Sequence, residues 1–122
     1  YAVNTGVPHA VIIVDEIGSV DVREIGPIVR NHVSFVNGAN VNFVEKAGEN
    51  TLRIRTYERG VEEETLSCGT GAMASAAVAR KLGMVGDTVQ VETWGGPVSV
   101  RLGEVNEIEG PARTVFTGEI PL

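Results

Sequence analysis

Apolar positions along this chain fall mostly in short β-branched runs or in strict alternation, the signature of strands. Ala10-Val11-Ile12-Ile13-Val14 reads as a buried strand. Ala39 to Glu45 and Thr51 to Tyr57 read as two further strands, joined by Lys46-Ala47-Gly48-Glu49-Asn50. In the second of these, Leu52, Ile54 and Thr56 alternate with Arg53, Arg55 and Tyr57, which predicts one wet face. Thr88 to Thr93 and Val98 to Leu102 flank Gly95-Gly96-Pro97 and read as a hairpin, and Thr114 to Ile120 predicts a last strand.

Helical spacing occurs twice. Asp21 to Arg30 has a capping residue in Asp21 and brings Ile25, Ile28 and Val29 roughly to one face, with Gly26-Pro27 interrupting the pattern. The second run starts after Cys68 with Ala72-Met73-Ala74-Ser75-Ala76-Ala77-Val78-Ala79 and reaches about Leu82, where Gly83 is a fitting stop. It is small and apolar nearly all round, so neighbours should pack closely on most of its sides. No repeat or linker divides the chain. The expected fold class is α+β, a curved mixed β-sheet wrapped around one central α-helix, as a single domain over residues 1–122.

Composition narrows the function classes. The chain has 122 residues, 43% of them hydrophobic, enough for a real core. A net charge of −6 repels nucleic acid and anionic membranes, so neither is an expected partner. No apolar run approaches a transmembrane span and no signal-peptide pattern is present. The single cysteine cannot form an internal disulfide, which favours a reducing compartment, the cytoplasm. Two histidines far apart, with no clustered ligands, give a metal site little support.

The chemistry concentrates in Glu64-Thr65-Leu66-Ser67-Cys68-Gly69-Thr70-Gly71. The helix that follows puts a thiol and several unpaired N–H groups at a helix N-terminus, where the dipole favours a thiolate and can hold a carboxylate. The competing reading is a small core cysteine. Gly69-Thr70-Gly71 lacks the Gly-Lys-Ser/Thr of a phosphate loop, which argues against a nucleotide. Glu58 and Arg59, adjacent in Tyr57-Glu58-Arg59-Gly60, can pair with an ammonium and a carboxylate respectively; the bland alternative is a surface strand end. Glu62-Glu63-Glu64 reads as a solvated acidic turn. His9, in Gly6-Val7-Pro8-His9, can orient or deprotonate a neighbour, or serve as a hydrogen-bonded structural histidine; His32 has no comparable context. Asn40 and Asn42 share one strand face, and buried amides there must find partners, in a ligand or in the backbone.

Taken in order, Asn4-Thr5-Gly6-Val7-Pro8-His9, Gly26-Pro27-Ile28-Val29-Arg30-Asn31-His32, Asn40-Val41-Asn42-Phe43-Val44, Tyr57-Glu58-Arg59-Gly60 and the Cys68 loop resemble the C-terminal half of the diaminopimelate epimerase family. The resemblance implies a cofactor-independent isomerase of lysine biosynthesis that interconverts LL- and meso-diaminopimelate without pyridoxal phosphate or metal. It implies two similar domains, each giving one cysteine, one acting as thiolate base and the other as thiol acid on opposite faces of Cα. By motif, Cys68 is similar to the catalytic cysteine of the C-terminal domain and Glu58 to the glutamate that pairs with it and touches substrate alongside Arg59. His9 resembles the histidine serving the other domain's cysteine, Asn42 a substrate-binding asparagine, and Gly69 and Thr70 the residues whose N–H groups hold the α-carboxylate. Two departures stand out. Val7 replaces the asparagine common in the family, and the chain carries one cysteine, not two. The resemblance therefore implies a partner N-terminal domain, and the isolated chain is expected to be inactive. A homodimer joining two Cys68 thiols is the other way to complete the site. The rival functions are a proline racemase-like isomerase, which also uses a Cys-Gly-Thr-Gly loop, and a non-catalytic ligand- or partner-binding domain.

Overall fold

The computed structural model describes residues 1–122. Strands β1 (Ala2–Asn4) and β2 (Pro8–Ile13) lead through a 3-10 turn at Ile17–Ser19 to helix α1 (Val22–Arg30). Strands β3 (Asn40–Gly48), β4 (Thr51–Glu58) and β5 (Glu63–Thr65) precede helix α2 (Gly69–Lys81), and β6 (Thr88–Thr93), β7 (Gly96–Arg101) and β8 (Glu107–Glu109) follow it. All eight strands join one mixed sheet in the order β1-β2-β3-β4-β6-β7-β8, with β5 also on β4. Only β2–β3 and β4–β6 are parallel. A hairpin cannot join a parallel pair, and each is bridged by a helix, α1 and α2 respectively.

Helix α2 lies in the trough of the curled sheet, against β1, β2, β3, β4, β6 and β7. Its composition permits this. Ala72, Ala74, Ala76 and Ala79 are fully buried and pack with Val11, Val44, Leu52, Val89, Val91 and Val100 from the surrounding strands. Methyl side chains keep the helix narrow, so strands can approach from several directions. Gly83, with φ +74°, ends the helix as expected.

Helix α1 covers the opposite face of β3 and β4 and is capped by Asp21, whose carboxylate accepts from the Glu24 N–H at 3.1 Å. It overturns the expectation of a wet face on β4. Tyr57 is buried with Val22, Val41 and Phe43, and Arg55 is half-buried. Gly26 is what allows this, because a Cβ there would run into the Tyr57 ring at 2.6 Å. Of the three residues expected to be wet, only Arg53 is exposed.

The final expected strand is also corrected. Residues 110–122 have no regular structure and are exposed, and the last strand is Glu107–Glu109, paired with β7. Thr114 to Ile120 pairs with none of the eight strands, and β-branched and aromatic residues make a strand only when a neighbour takes up their backbone hydrogen bonds. No helix is long and apolar enough to cross a membrane.

The register of the central strands positions the site. Ile13, Val44 and Ile54 are cross-strand neighbours, as are Val11, Asn42 and Thr56, and His9 pairs with Asn40. The trough is therefore apolar at one end and becomes polar toward the other. Helix α2 begins over the polar end.

Candidate active site

At the polar end of the trough, five side chains from four elements form a hydrogen-bonded row. Thr56 of β4 donates its hydroxyl to Asn42 Oδ1 at 2.9 Å. Asn42 Nδ2 lies 3.1 Å from both the Ala10 carbonyl oxygen and His9 Nδ1. His9 Nε2 lies 3.0 Å from Thr70 Oγ1, which is in turn 3.7 Å from Cys68 Sγ. His9, Asn42 and Thr56 are buried, and their burial is tolerable because each finds a partner. Such a row could not be read from local sequence, since it spans contacts as far as His9 to Thr70.

Cys68 precedes α2 as its capping residue and supplies no side-chain cap. The first intrahelical bond is Ala72 N–H to the Cys68 carbonyl at 2.9 Å. The N–H groups of Gly69, Thr70 and Gly71 thus lack an intrahelical acceptor, which is the ordinary state of a helix start. Gly69 and Thr70 are exposed while Cys68 is 8% exposed. Sulfur and N–H donors therefore sit together at an accessible helix start. Gly71 is required by this packing, since a Cβ there would strike Asn42 Oδ1 and come within 3.2 Å of the sulfur.

The Glu58–Arg59 turn borders the same polar end. Glu58 accepts from the Thr65 hydroxyl at 2.9 Å, and the hydrogen-bond partner of the Cys68 sulfur is Thr70. Arg59 donates its backbone N–H to Asn40 Oδ1 at 2.8 Å and one guanidinium N–H to the Asn37 carbonyl at 2.9 Å. It forms no ion pair with Glu58, so both charges remain unneutralised by each other. Asn40 keeps its amide nitrogen without a partner, whereas Asn42 has both amide hydrogens and its oxygen engaged within the chain. Val7 is half-buried after the Gly6 turn (φ +100°) and offers no polar side-chain atom. His32 is exposed, and its ring is engaged by the Ser34 N–H, which donates to Nδ1. Two concavities lie away from Cys68, one lined by Ile54, Arg55 and Trp94 and another by Tyr1, Ala77 and Leu82.

The acidic turn is not simply solvated. Glu62 has φ +60°, pairs with Arg30 at 2.8 Å and accepts the Gly60 N–H at 3.0 Å. Glu64 forms two bonds to Arg55, at 2.6 and 2.9 Å, and accepts the Trp94 indole N–H at 2.8 Å. The Arg55 guanidinium also lies 5.7 Å from the Trp94 ring. Two arginines on neighbouring elements thus recruit two of the three carboxylates.

These partners set the acid response. Burial holds His9 below the ordinary imidazole range, with smaller opposing influences from Glu58 (upward) and Arg59 (downward). Hydrogen bonds from Arg30 and then Gly60 hold the Glu62 carboxyl down at about 2. Both groups are shifted down in the folded state, so each contributes stability above its unfolded pKa and loses it as pH falls. Stability is therefore expected to decline in two stages, one beginning near 6.5 from His9 and one below about 4.5 from Glu62 together with Glu64, whose carboxyl the Arg55 hydrogen bonds also hold down. Urea titrations across pH check this; Arg30→Ala should shrink the lower stage, leaving the Glu64 part, and spare the upper one.

The diaminopimelate epimerase family model matches residues 1–119. The chain is 55% identical over 121 residues to the diaminopimelate epimerase of Methanocella arvoryzae, covering 98% of this chain and 43% of that protein. It is 56% identical over 120 residues to that of Methanothrix thermoacetophila, covering 98% and 42%. The chain thus spans less than half the length of these relatives. Among solved structures it resembles a phenazine biosynthesis PhzF-family protein of Enterococcus faecalis, with TM-score 0.62 and 22% identity over 80% of this chain and 34% of that one. A PhzF-family protein of Bacillus anthracis gives TM-score 0.59 and 22% identity over 82% and 31%. At these identities the structural likeness speaks for the fold alone.

Proposed function

We propose that this chain, which belongs to the diaminopimelate epimerase family, supplies one half of a cofactor-independent site that inverts the α-carbon of diaminopimelate. The observation that carries the reading is Cys68 Sγ beside an accessible helix start, with the Thr70 hydroxyl 3.7 Å from it. A substrate carboxylate on the N–H groups of Gly69 and Thr70 would set Cα near the sulfur. The thiolate then takes the Cα proton, and the electron pair left behind delocalises into the carboxylate, where the helix start stabilises the growing charge. Inversion requires that a second acid return a proton to the opposite face. We assign that acid to a thiol of a preceding domain, as the shorter span of this chain relative to its relatives suggests.

Glu58 and Arg59 suit the charged groups of an amino acid, one carboxylate for an ammonium and one guanidinium for a carboxylate. Of the two asparagines, Asn40 has an unpartnered amide nitrogen for direct contact, and Asn42 reaches a ligand only through His9. The chain alone lacks the second acid. It is expected to produce no measurable inversion of LL-diaminopimelate in deuterated water, and to gain it when the N-terminal half of a close relative is supplied. Turnover by the purified chain alone overturns the division of labour, unless sedimentation shows a dimer that joins two copies of Cys68. Failure of the reconstituted pair, with both halves folded, overturns the epimerase reading.

A further inference from the structure

The hydrogen-bonded row has a direction, and one backbone atom sets it. The Ala10 carbonyl can only accept, so the Asn42 atom 3.1 Å away must be the amide nitrogen. That nitrogen has two hydrogens. One goes to Ala10, and the other points at His9 Nδ1, also at 3.1 Å. Asn42 Oδ1 then faces Thr56, whose hydroxyl must donate to it at 2.9 Å. Because Asn42 donates to His9 Nδ1, that ring nitrogen must be the bare acceptor. A neutral His9 accordingly carries its proton on Nε2 and donates it to Thr70 Oγ1 at 3.0 Å. With its oxygen accepting from His9, the Thr70 hydroxyl keeps its own hydrogen free, and toward a Cys68 thiolate, which can only accept, it is the donor across the 3.7 Å contact.

We propose that Asn42 and Thr56 are positioning residues that fix His9 as its Nε2–H tautomer and so aim the Thr70 hydroxyl at the Cys68 sulfur. The opposite tautomer would set Nδ1–H against the Asn42 amide hydrogens and leave Nε2 bare. Thr70 would then donate to the ring and turn away from sulfur. Burial, which disfavours the doubly protonated ring, keeps the neutral form in which the choice matters. The importance of the sulfur rests on the reading of Cys68 as the reacting thiol; the tautomer itself does not.

Long-range proton–nitrogen correlation on the 15N-labelled chain at neutral pH reads the tautomer without any substitution. His9 is expected to show a protonated Nε2 and a bare Nδ1. A protonated Nδ1, or two averaged nitrogens, overturns the proposal. Variants then test the link to sulfur through iodoacetamide alkylation of Cys68 at fixed pH. Thr70→Val should slow it by about three- to tenfold, the scale of one lost hydrogen bond, with the His9 tautomer unchanged. Asn42→Asp, whose carboxylate can only accept, should move the proton to Nδ1 and slow alkylation as well. Because the new charge also slows that reagent, the uncharged Thr70→Val variant is the deciding one. Thr70→Val alkylating at the wild-type rate overturns the link to sulfur. The tautomer holds or fails in the chain without substrate, so its failure is distinguishable from failure of the epimerase reading, which is judged by turnover of the reconstituted pair.

Discussion

Cys68→Ala, introduced into the complete two-part enzyme, is expected to lower epimerisation about 10²- to 10⁴-fold in both directions, the usual scale of a general acid or base. That corresponds to roughly 3–5.5 kcal/mol of barrier. The loss should appear in kcat with little change in KM, because the sulfur acts on a proton and the N–H groups of α2 bind the carboxylate. Cys68→Ser should lose nearly as much, since a hydroxyl of similar shape ionises far less readily than a thiol. The competing reading treats Cys68, which is 8% exposed, as a small core residue. On that reading Cys68→Ala would shift the urea midpoint and leave turnover within a few-fold of wild type. Steady-state rates measured beside urea unfolding separate the two outcomes.

Local sequence carried the central helix and the thiol but not the company they keep. A run of alanines ending at Gly83 could only be buried on many sides, and α2 is surrounded by strands. The pairing of Asn40 and Asn42 on one face was legible from strand alternation alone. Which of them would be left with a free amide was not, because that depends on Asn42 meeting Thr56 across β4 and His9 from β2. Tyr57 was misread for a similar reason. Alternation identified its face correctly, but what covers that face is α1, through a close approach at Gly26 that no local pattern signals. The acidic turn was read as solvated because its arginine partners, Arg30 and Arg55, lie outside it in sequence. The tail from Thr114 shows the converse. Its β-branched and aromatic residues suit a strand, yet it pairs with none of the eight strands and stays exposed. Period reports which residues share a side; long-range register decides what that side meets.

The Glu58–Arg59 turn should divide its two charges between chemistry and binding. Arg59 has only the Asn37 carbonyl on its guanidinium and no carboxylate partner in the chain, so the group is available to a ligand. In the complete enzyme, Arg59→Ala is expected to raise KM for diaminopimelate about 10- to 100-fold, the scale of a charge-assisted hydrogen bond, with a smaller fall in kcat. Glu58 is held by the Thr65 hydroxyl at 2.9 Å, which keeps its carboxylate at the border of the polar end. Glu58→Gln preserves shape and removes charge, so it should lower kcat about 10-fold or more while changing KM less, if its charge serves the moving proton. Surface charges at a strand end would behave otherwise, since exposed pairs are worth about 0–1 kcal/mol. Thr65→Val supplies the internal control: it loosens Glu58 without removing its charge and should fall between wild type and Glu58→Gln in kcat. Variants of Glu58 and Arg59 that fold normally and keep wild-type kcat and KM would remove this turn from the active site and leave Cys68 without a charged neighbour to select an amino acid.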